Sequence, residues 1–376
     1  VRMDSRVRGN DGGRGGDGRP GEACLAPTEL AQAGAGARVR ALHFLSHHIE
    51  SDGYGYSGIK IREALLALGV TVEAVDLCDE GERYTRMGAK RWSVAGDAVA
   101  LTVPLWWRDM EARRLFGFTM FESTKLPSGW TDAINETAEV CLVPSRFCAE
   151  VFETNGVDVD LEVAPLGVAP GDWWPLDRSG HEGPYTFLWS GTPDWRKGWD
   201  VAYGAFCRAF GHRHDVRLVL WFRQAMRGLE SIGDPNVEMV VGPRSRAEMR
   251  QMLADADCFV YPARGEGWGL PPREAAATGL PVIATDWGGL SEEIHEWALP
   301  VRVAGLVKAS FGYYPREIGE WANPDVDHVV EWMRWCAENP GRAQAVGDRA
   351  ADWMAQYGTW ERTARRILEV VRRDAN

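Results

Sequence analysis

A repeated alternation constrains this chain more than any other feature. From Val39 to Val143, and again from Tyr185 to His295, short apolar runs alternate with stretches of helical spacing. In the first half Val39–Leu45, Val70–Val75, Ala98–Val103, Phe116–Phe121 and Val140–Val143 read as strands, with helices over Ser57–Leu68 and Ser145–Thr154. In the second, strands fall at Tyr185–Ser190, Val216–Phe222, Val237–Val241, Cys258–Tyr261 and Val282–Thr285. Helices there fall at Trp199–Phe210, Ser245–Ala254, Pro272–Thr278 and Leu290–His295. Near-continuous apolar runs belong to strands buried on both faces, which means parallel sheets covered by helices. Between Ala164 and Pro184 the Pro/Gly-rich text loses all periodicity and reads as a linker. Amphipathic helices follow at Val326–Ala337, Arg342–Gln356 and Thr359–Arg373. The expected architecture is α/β: two tandem Rossmann-like doubly wound domains, over 38–168 and 185–355, facing across a cleft. The linker is 169–184 and a last helix occupies 356–376. Residues 1–37, rich in Gly, Arg and Asp, hold too few apolar side chains to offset their ordering entropy and read as a disordered extension.

The formal net charge of −12 argues against a nucleic-acid partner, which needs a basic face. Seven scattered cysteines without a C-x-x-C pair read as reduced thiols of the cytoplasm rather than a disulfide framework. No apolar stretch approaches the roughly 18 residues of a membrane-spanning helix, and no apolar region follows the N-terminal arginines as a secretory signal requires. The cluster Arg108, Arg113 and Arg114 could steer toward an anionic lipid at the inner membrane face or toward a phosphorylated acceptor, although a solvated face is the better reading.

In open α/β sheets ligands bind beyond the carboxyl ends of the strands, so the loops there carry the chemistry. The first such loop contains Gly53, Gly55 and Gly58 in a literal G-x-G-x-x-G, with Asp76 eighteen residues later. This spacing resembles a dinucleotide fingerprint and keeps an NAD-dependent oxidoreductase open. Against it, Ser46–Asp52 intervenes between the strand and the first glycine, where the fingerprint wants a direct turn.

In the second half Gly191 is followed by Arg196, Lys197 and Gly198, a cationic pair able to hold a diphosphate and stabilise charge on a leaving group. No Gly precedes Lys197 and no Ser or Thr follows Gly198, so this is not a Walker A loop. Further on, Glu266 and Glu274 flank Gly267, Trp268, Gly269 and Leu270, with Pro272 suited to a helix's first turn. Free amides at that helix start favour a phosphate, while the two carboxylates can accept hydrogen bonds from vicinal hydroxyls. One hexose and one ribose around a diphosphate is a nucleotide-sugar. The Asp-x-Asp pairs at Asp158, Asp255 and Asp325 lie at helix or turn ends and read as caps, so no metal site is expected.

The block from Glu266 to Glu274, with AAATGLPVIAT and Gly288-Gly289 after it, resembles the E-x(7)-E motif of family-4 (group 1) glycosyltransferases of the GT-B fold. Val143-Pro144-Ser145, Pro165-Leu166-Gly167-Val168, Gly191…Arg196-Lys197-Gly198 and Thr359-Trp360-Glu361 agree with it. The resemblance implies that the last helix crosses back onto the first domain. It implies retaining transfer from a nucleotide-diphosphate-sugar to a hydroxyl of a glycan, glycolipid or small molecule, with no metal or other cofactor. Lys197 and Arg196 would hold the diphosphate, Glu266 the transferred sugar and Glu274 the ribose, with the Gly267–Leu270 amides near sugar and phosphate. Gly53 and Gly55 would approach the diphosphate from the first domain. The chain departs from the family at Thr192, where many members place an arginine, so Arg196 would substitute for it. A nucleotide-sugar epimerase or hydrolase of the same fold stays open, as does a sugar-binding protein without turnover. Glu122 and Thr124 are acceptor-side candidates by position. Of eighteen tryptophans, Trp106, Trp107, Trp195, Trp268 and Trp287 fall on expected cleft loops, where rings can stack on sugar faces.

Overall fold

The computed structural model describes residues 41–49, 53–78, 90–178, 183–225, 233–311 and 317–373. The expected 1–37 extension therefore lies outside the described residues.

The first half builds β1 (Leu42–Ser46), α1 (Gly53–Ala67), β2 (Val72–Asp76), β4 (Asp97–Leu101), β6 (Arg114–Phe118), α2 (Trp130–Thr137), β7 (Val140–Val143), α3 (Arg146–Thr154) and β8 (Asp160–Val163). A short pair, β3 (Trp92–Ser93) and β5 (Met110–Glu111), flanks them. The main sheet runs β2-β1-β4-β6-β7-β8, parallel throughout. All residues of β4 and β7 are buried, as continuous apolar runs require when helices cover both faces.

The second half repeats the plan with β9 (Tyr185–Gly191), α4 (Trp199–Phe210), β10 (Val216–Phe222), β11 (Val237–Val241), α5 (Arg246–Ala254), β12 (Cys258–Tyr261), α6 (Leu270–Ala277), β13 (Val282–Thr285), α7 (Ile294–Trp297) and β14 (Leu299–Val301). Its parallel order is β11-β10-β9-β12-β13-β14. Helix α5 starts on a capping box, Ser245 and Glu248 each satisfying the other's backbone amide. An antiparallel hairpin, β15 (Val303–Lys308) and β16 (Glu320–Pro324), then precedes α8 (Val326–Glu338), α9 (Pro340–Tyr357) and α10 (Trp360–Arg373).

Four expectations are corrected. The glycine-rich segment after β1 is not a loop: α1 begins at Gly53, one turn before Ser57. The strands expected to reach Val103 and Phe121 end at Leu101 and Phe118, which frees Thr119–Thr124 to form a loop at the cleft. The expected helix Leu290–His295 is a 3₁₀ turn at Gly288–Leu290 followed by α7. The hairpin is absent from the expected elements, because β15 has no fully buried residue, its Leu306 included, and β16 buries only Trp321, Ala322 and Pro324.

Helix α10 packs on the first half. Its buried Trp360, Ile367, Leu368, Val370 and Val371 share one core with Tyr56, Ile61 and Leu65 of α1 and with Phe116 and Phe118 of β6. Full burial of such side chains stabilises by about 1.5–3 kcal/mol each. At the crossing, the Val168 amide donates to Gly358 O at 2.6 Å, and Thr363 Oγ1 donates to Pro165 O at 2.6 Å. A side chain at Gly167 would collide with the Trp360 backbone, so the two segments cross in direct contact.

Candidate active site

Strand β9 ends at Gly191, and the chain turns through a single 3₁₀ turn, Trp195–Lys197. Asp194 caps it, accepting from the Arg196 amide at 2.8 Å. Gly198 leaves the turn at φ +71 with Pro262 O against its Cα, a conformation and a clearance that favour glycine. This turn aims both cations at the loop after β12. Lys197 Nζ lies 2.5 Å from Glu266 Oε1, and Arg196 Nη1 lies 3.3 Å from the same oxygen while donating to Gly265 O at 2.6 Å. Tyr261 Oη donates to that carboxylate oxygen at 2.8 Å. From the first half, Glu122 Oε1 comes within 3.6 Å of Arg196 Nη2.

Two cations and two carboxylates thus share a site where Glu266 is 5% exposed. Burial pushes the Glu266 carboxyl up, but Lys197 and Arg196 outweigh it and hold it below its ordinary range. Burial raises Glu122, and nearby Glu266 adds to this against the pull of Arg196. Burial lowers Lys197, and Arg196 lowers it further against Glu266. The site therefore holds cations at a high desolvation cost, a cost that an arriving dianion would relieve.

The loop from Gly265 to Leu270 is wedged between the halves. Ser145 Oγ caps α3 and donates to Gly267 O at 2.9 Å, and the Gly289 amide donates to Glu266 O at 2.7 Å. Arg273 is a strut that sequence reasoning left unassigned. It is buried, donates to Trp268 O and to Gly289 O (2.8 Å), and sits over the rings of Trp268 (3.9 Å) and Trp297 (4.6 Å). Burial lowers its pKa to about 9. The indole of Trp268, 7% exposed, packs into the core shared with Trp360, so what Trp268 offers a ligand is backbone rather than ring.

Glu274 lies just past the first turn of α6, which starts at Leu270 rather than Pro272, and it faces Arg223 and Arg246 rather than Lys197. Its buried carboxyl is raised by desolvation, partly offset by Arg223 and Arg246. Arg246 itself donates to Asp172 Oδ2 at 2.9 Å and to Tyr56 Oη at 3.2 Å, so α5, the linker and α1 meet there. Sequence reasoning missed Tyr261, Arg223, Arg246 and Tyr56. The first two end a strand or directly follow one, and the strand-end rule would have found them.

A Cβ at Gly55 would strike the backbone of Ile49, and one at Gly58 would strike Ser46, so the chain itself fills the glycine fingerprint. That packing explains the spacing and removes the basis for the dinucleotide reading. Gly53 has open space around it, and neighbouring Tyr54 donates to Met120 O at 3.2 Å. At Gly191 the carbonyl accepts from the Arg223 amide at 3.0 Å. Asp325 caps α8 and Asp257 accepts from the Thr186 amide at 2.7 Å. Among the described residues no cluster of three or more His, Cys, Asp or Glu has a metal-binding arrangement. Arg113 and Arg114 both pair with Asp97, and Arg108 pairs with Glu136. Among the described residues no helix is long and apolar enough to cross a membrane. A groove of about 810 Å³ is lined by Arg146, Leu166, Trp268 and Arg362 among others, and by neither Glu266 nor Lys197.

Residues 184–309 match the profile of glycosyl transferases group 1. Over 131 residues the chain is 32% identical to the D-inositol 3-phosphate glycosyltransferases of Mycobacterium bovis (strain BCG / Pasteur 1173P2) and Mycobacterium tuberculosis (strain ATCC 25618 / H37Rv). That stretch is 35% of this chain and 24% of those proteins. The whole fold is GT-B. Sucrose-phosphate synthase from Thermosynechococcus elongatus superposes with a TM-score of 0.67 at 16% identity, over 89% of this chain and 98% of that one. Anabaena HepE, in complex with UDP-glucose, gives 0.60 at 13% identity over 88% and 99%. WaaG, a glycosyltransferase involved in lipopolysaccharide biosynthesis, gives 0.59 at 13% identity over 88% and 100%.

Proposed function

We propose that this protein transfers a sugar from a nucleotide-diphosphate donor to a hydroxyl acceptor, with retention at the anomeric carbon. The convergence of Lys197 and Arg196 on Glu266, buried beside the start of α6, carries the reading. The diphosphate takes the two cations, and the amides at the start of α6 complete its cradle. Glu266, released from its ion pairs, accepts from hydroxyls of the transferred sugar, and Glu274 accepts from the ribose. Gly53, at the open start of α1, lets the first half approach the diphosphate. The acceptor oxygen bonds to the anomeric carbon on the face from which the diphosphate oxygen departs. The acceptor proton passes to that departing oxygen, and Arg196 and Lys197 stabilise the charge. These cations supply the neutralisation that a divalent ion gives elsewhere, so the proposed reaction needs no metal.

Thermal unfolding of the full chain with UDP, GDP, ADP and their glucose conjugates tests the reading, since binding raises stability by mass action. UDP comes first because a structural neighbour is recorded with it. We expect protection by one nucleoside diphosphate and its sugar. Protection by none overturns the proposal.

A further inference from the structure

The structure separates the five cleft-loop tryptophans. Trp106 and Trp107 are buried in the first-half core, Trp268 is covered as described, and Trp287 packs on Phe147 at 4.7 Å. Trp195 alone of the five is exposed, at 44%, while its neighbour Arg196 is at 7%.

The exposed ring is held rigidly. The Arg264 guanidinium lies on it, 3.8 Å from the centroid, and Arg264 donates to both carboxylate oxygens of Asp200, at 2.8 and 2.7 Å, and to Trp195 O at 2.7 Å. The indole N–H donates to Asp200 Oδ2 at 3.1 Å. Trp321 of β16 stands 6.2 Å away at 50°. Trp321 in turn contacts Phe311, whose ring lies 5.3 Å under Arg196. The hairpin thus braces both the platform and the phosphate-facing cation, and it is tied to the first half by Ser123 Oγ donating to Ile318 O at 2.6 Å.

We propose that Trp195 is the platform of an acceptor subsite and that the acceptor presents a sugar ring there. The proposal rests on the transfer reading above. The surroundings choose the occupant. A lipid chain needs a continuous apolar surface, whereas the ion pair of Arg264 and Asp200 lies directly against the Trp195 indole. A pyranose fits that mixture: its C–H face stacks on the indole and its hydroxyls meet the charged rim. Arg196, the next residue in the chain, pairs with Glu122 at 3.6 Å, so the ring stands one residue from the cation assigned to the leaving group.

The test uses the full chain with UDP present and a panel of methyl glycosides of glucose, galactose, mannose and N-acetylglucosamine, with octanol as the apolar control. Saturation-transfer NMR is expected to detect at least one glycoside in the parent, to lose it in Trp195→Ala and to retain it in Trp195→Tyr. Once a donor is identified, Trp195→Ala raises the acceptor KM about ten-fold and leaves the donor KM within about two-fold. Should Trp195→Ala fail to fold, Trp195→Leu keeps the bulk without the aromatic face and carries the same contrast. No glycoside signal in the parent, an unchanged signal in the Ala or Leu variant, or binding of octanol alone overturns the subsite. So does a change in sedimentation of Trp195→Ala with glycoside binding intact, which would assign the ring to self-association. Protection of both proteins by the same nucleoside diphosphate alongside such a result leaves the donor reading standing; no protection of the parent by UDP, GDP or ADP removes the donor reading itself.

Discussion

Each half opens with a strand, a glycine-bearing junction and a helix, and the two junctions differ in what fills them. After β1, the glycines at 55 and 58 make room for Ile49 and Ser46. After β9, Gly198 makes room for Pro262 O, and the turn it closes delivers Arg196 and Lys197 to Glu266. Glycine spacing reports how closely backbone must pass something; it does not report whether that something is a ligand or the chain itself. The charged residues between the glycines make the difference.

The comparison can be broken most forcefully at the second junction. Lys197→Ala removes the cation nearest Glu266 and is expected to cut sugar transfer by on the order of 10²–10³, with Lys197→Arg restoring little because its planar fork does not fit a point contact. A transfer assay with the donor found by thermal protection measures it, and turnover near the parent's would move the chemistry elsewhere.

At the first junction the expected effects fall on stability. Gly55→Ala forces a methyl into the Ile49 backbone and should cost about 1–3 kcal/mol in denaturant melts. Gly53→Ala, with space around it and a helix to favour it, should be neutral or gain up to about 1 kcal/mol. A neutral Gly55→Ala would show that this junction is open enough to hold a ligand after all.

The smaller effects concern pH and run in opposite directions in the two halves. The buried Glu274 carboxyl lies above its unfolded value, so the folded state holds the extra proton between those two values. Its stabilising share is present below the unfolded value and lost as pH rises through the folded one. The melting-temperature advantage of Glu274→Gln over the parent should therefore grow from pH 4 to pH 7, while protection by the donor weakens. In the first half, hydrogen bonds from Arg113, together with Arg114, hold Asp97 at about 2. Its share is present above the unfolded carboxylate range and lost as pH falls toward 2. Asp97→Asn should thus melt lower at pH 7, with the deficit closing on acidification. A pH-independent difference in either variant would detach these carboxyls from their assigned surroundings.

Much of this organisation was legible in the sequence. Strands β10, β12 and β13 lie where their apolar runs begin and end, since β-branched and aromatic residues buried on both faces leave few alternatives; β11 also matches its run, although at the sheet edge only Val237 of it is buried. Lys197, Arg196 and Glu266 could be read as one site because each sits just past a strand end. The 69 positions between Lys197 and Glu266 are then irrelevant to their distance. Less legible were features set by tertiary contact. The burial of Trp106 and Trp107 depends on what packs above a 3₁₀ turn, which local spacing does not encode. Arg273 looks like any helix-start arginine until Trp268 and Trp297 close over it. The hairpin holding Phe311 and Trp321 has no periodic signal, because it draws its partners from the other half.

The helix that closes the first half lies some two hundred residues downstream of the sheet it covers. During synthesis, β1 and β6 are made early, yet the faces that receive Trp360, Ile367 and Val371 have no cover until Arg373 has left the ribosome. The half that is translated first is therefore the last to be completed. A fragment ending before α10 should gather chaperones on an uncovered apolar flank even though every strand of its sheet is present.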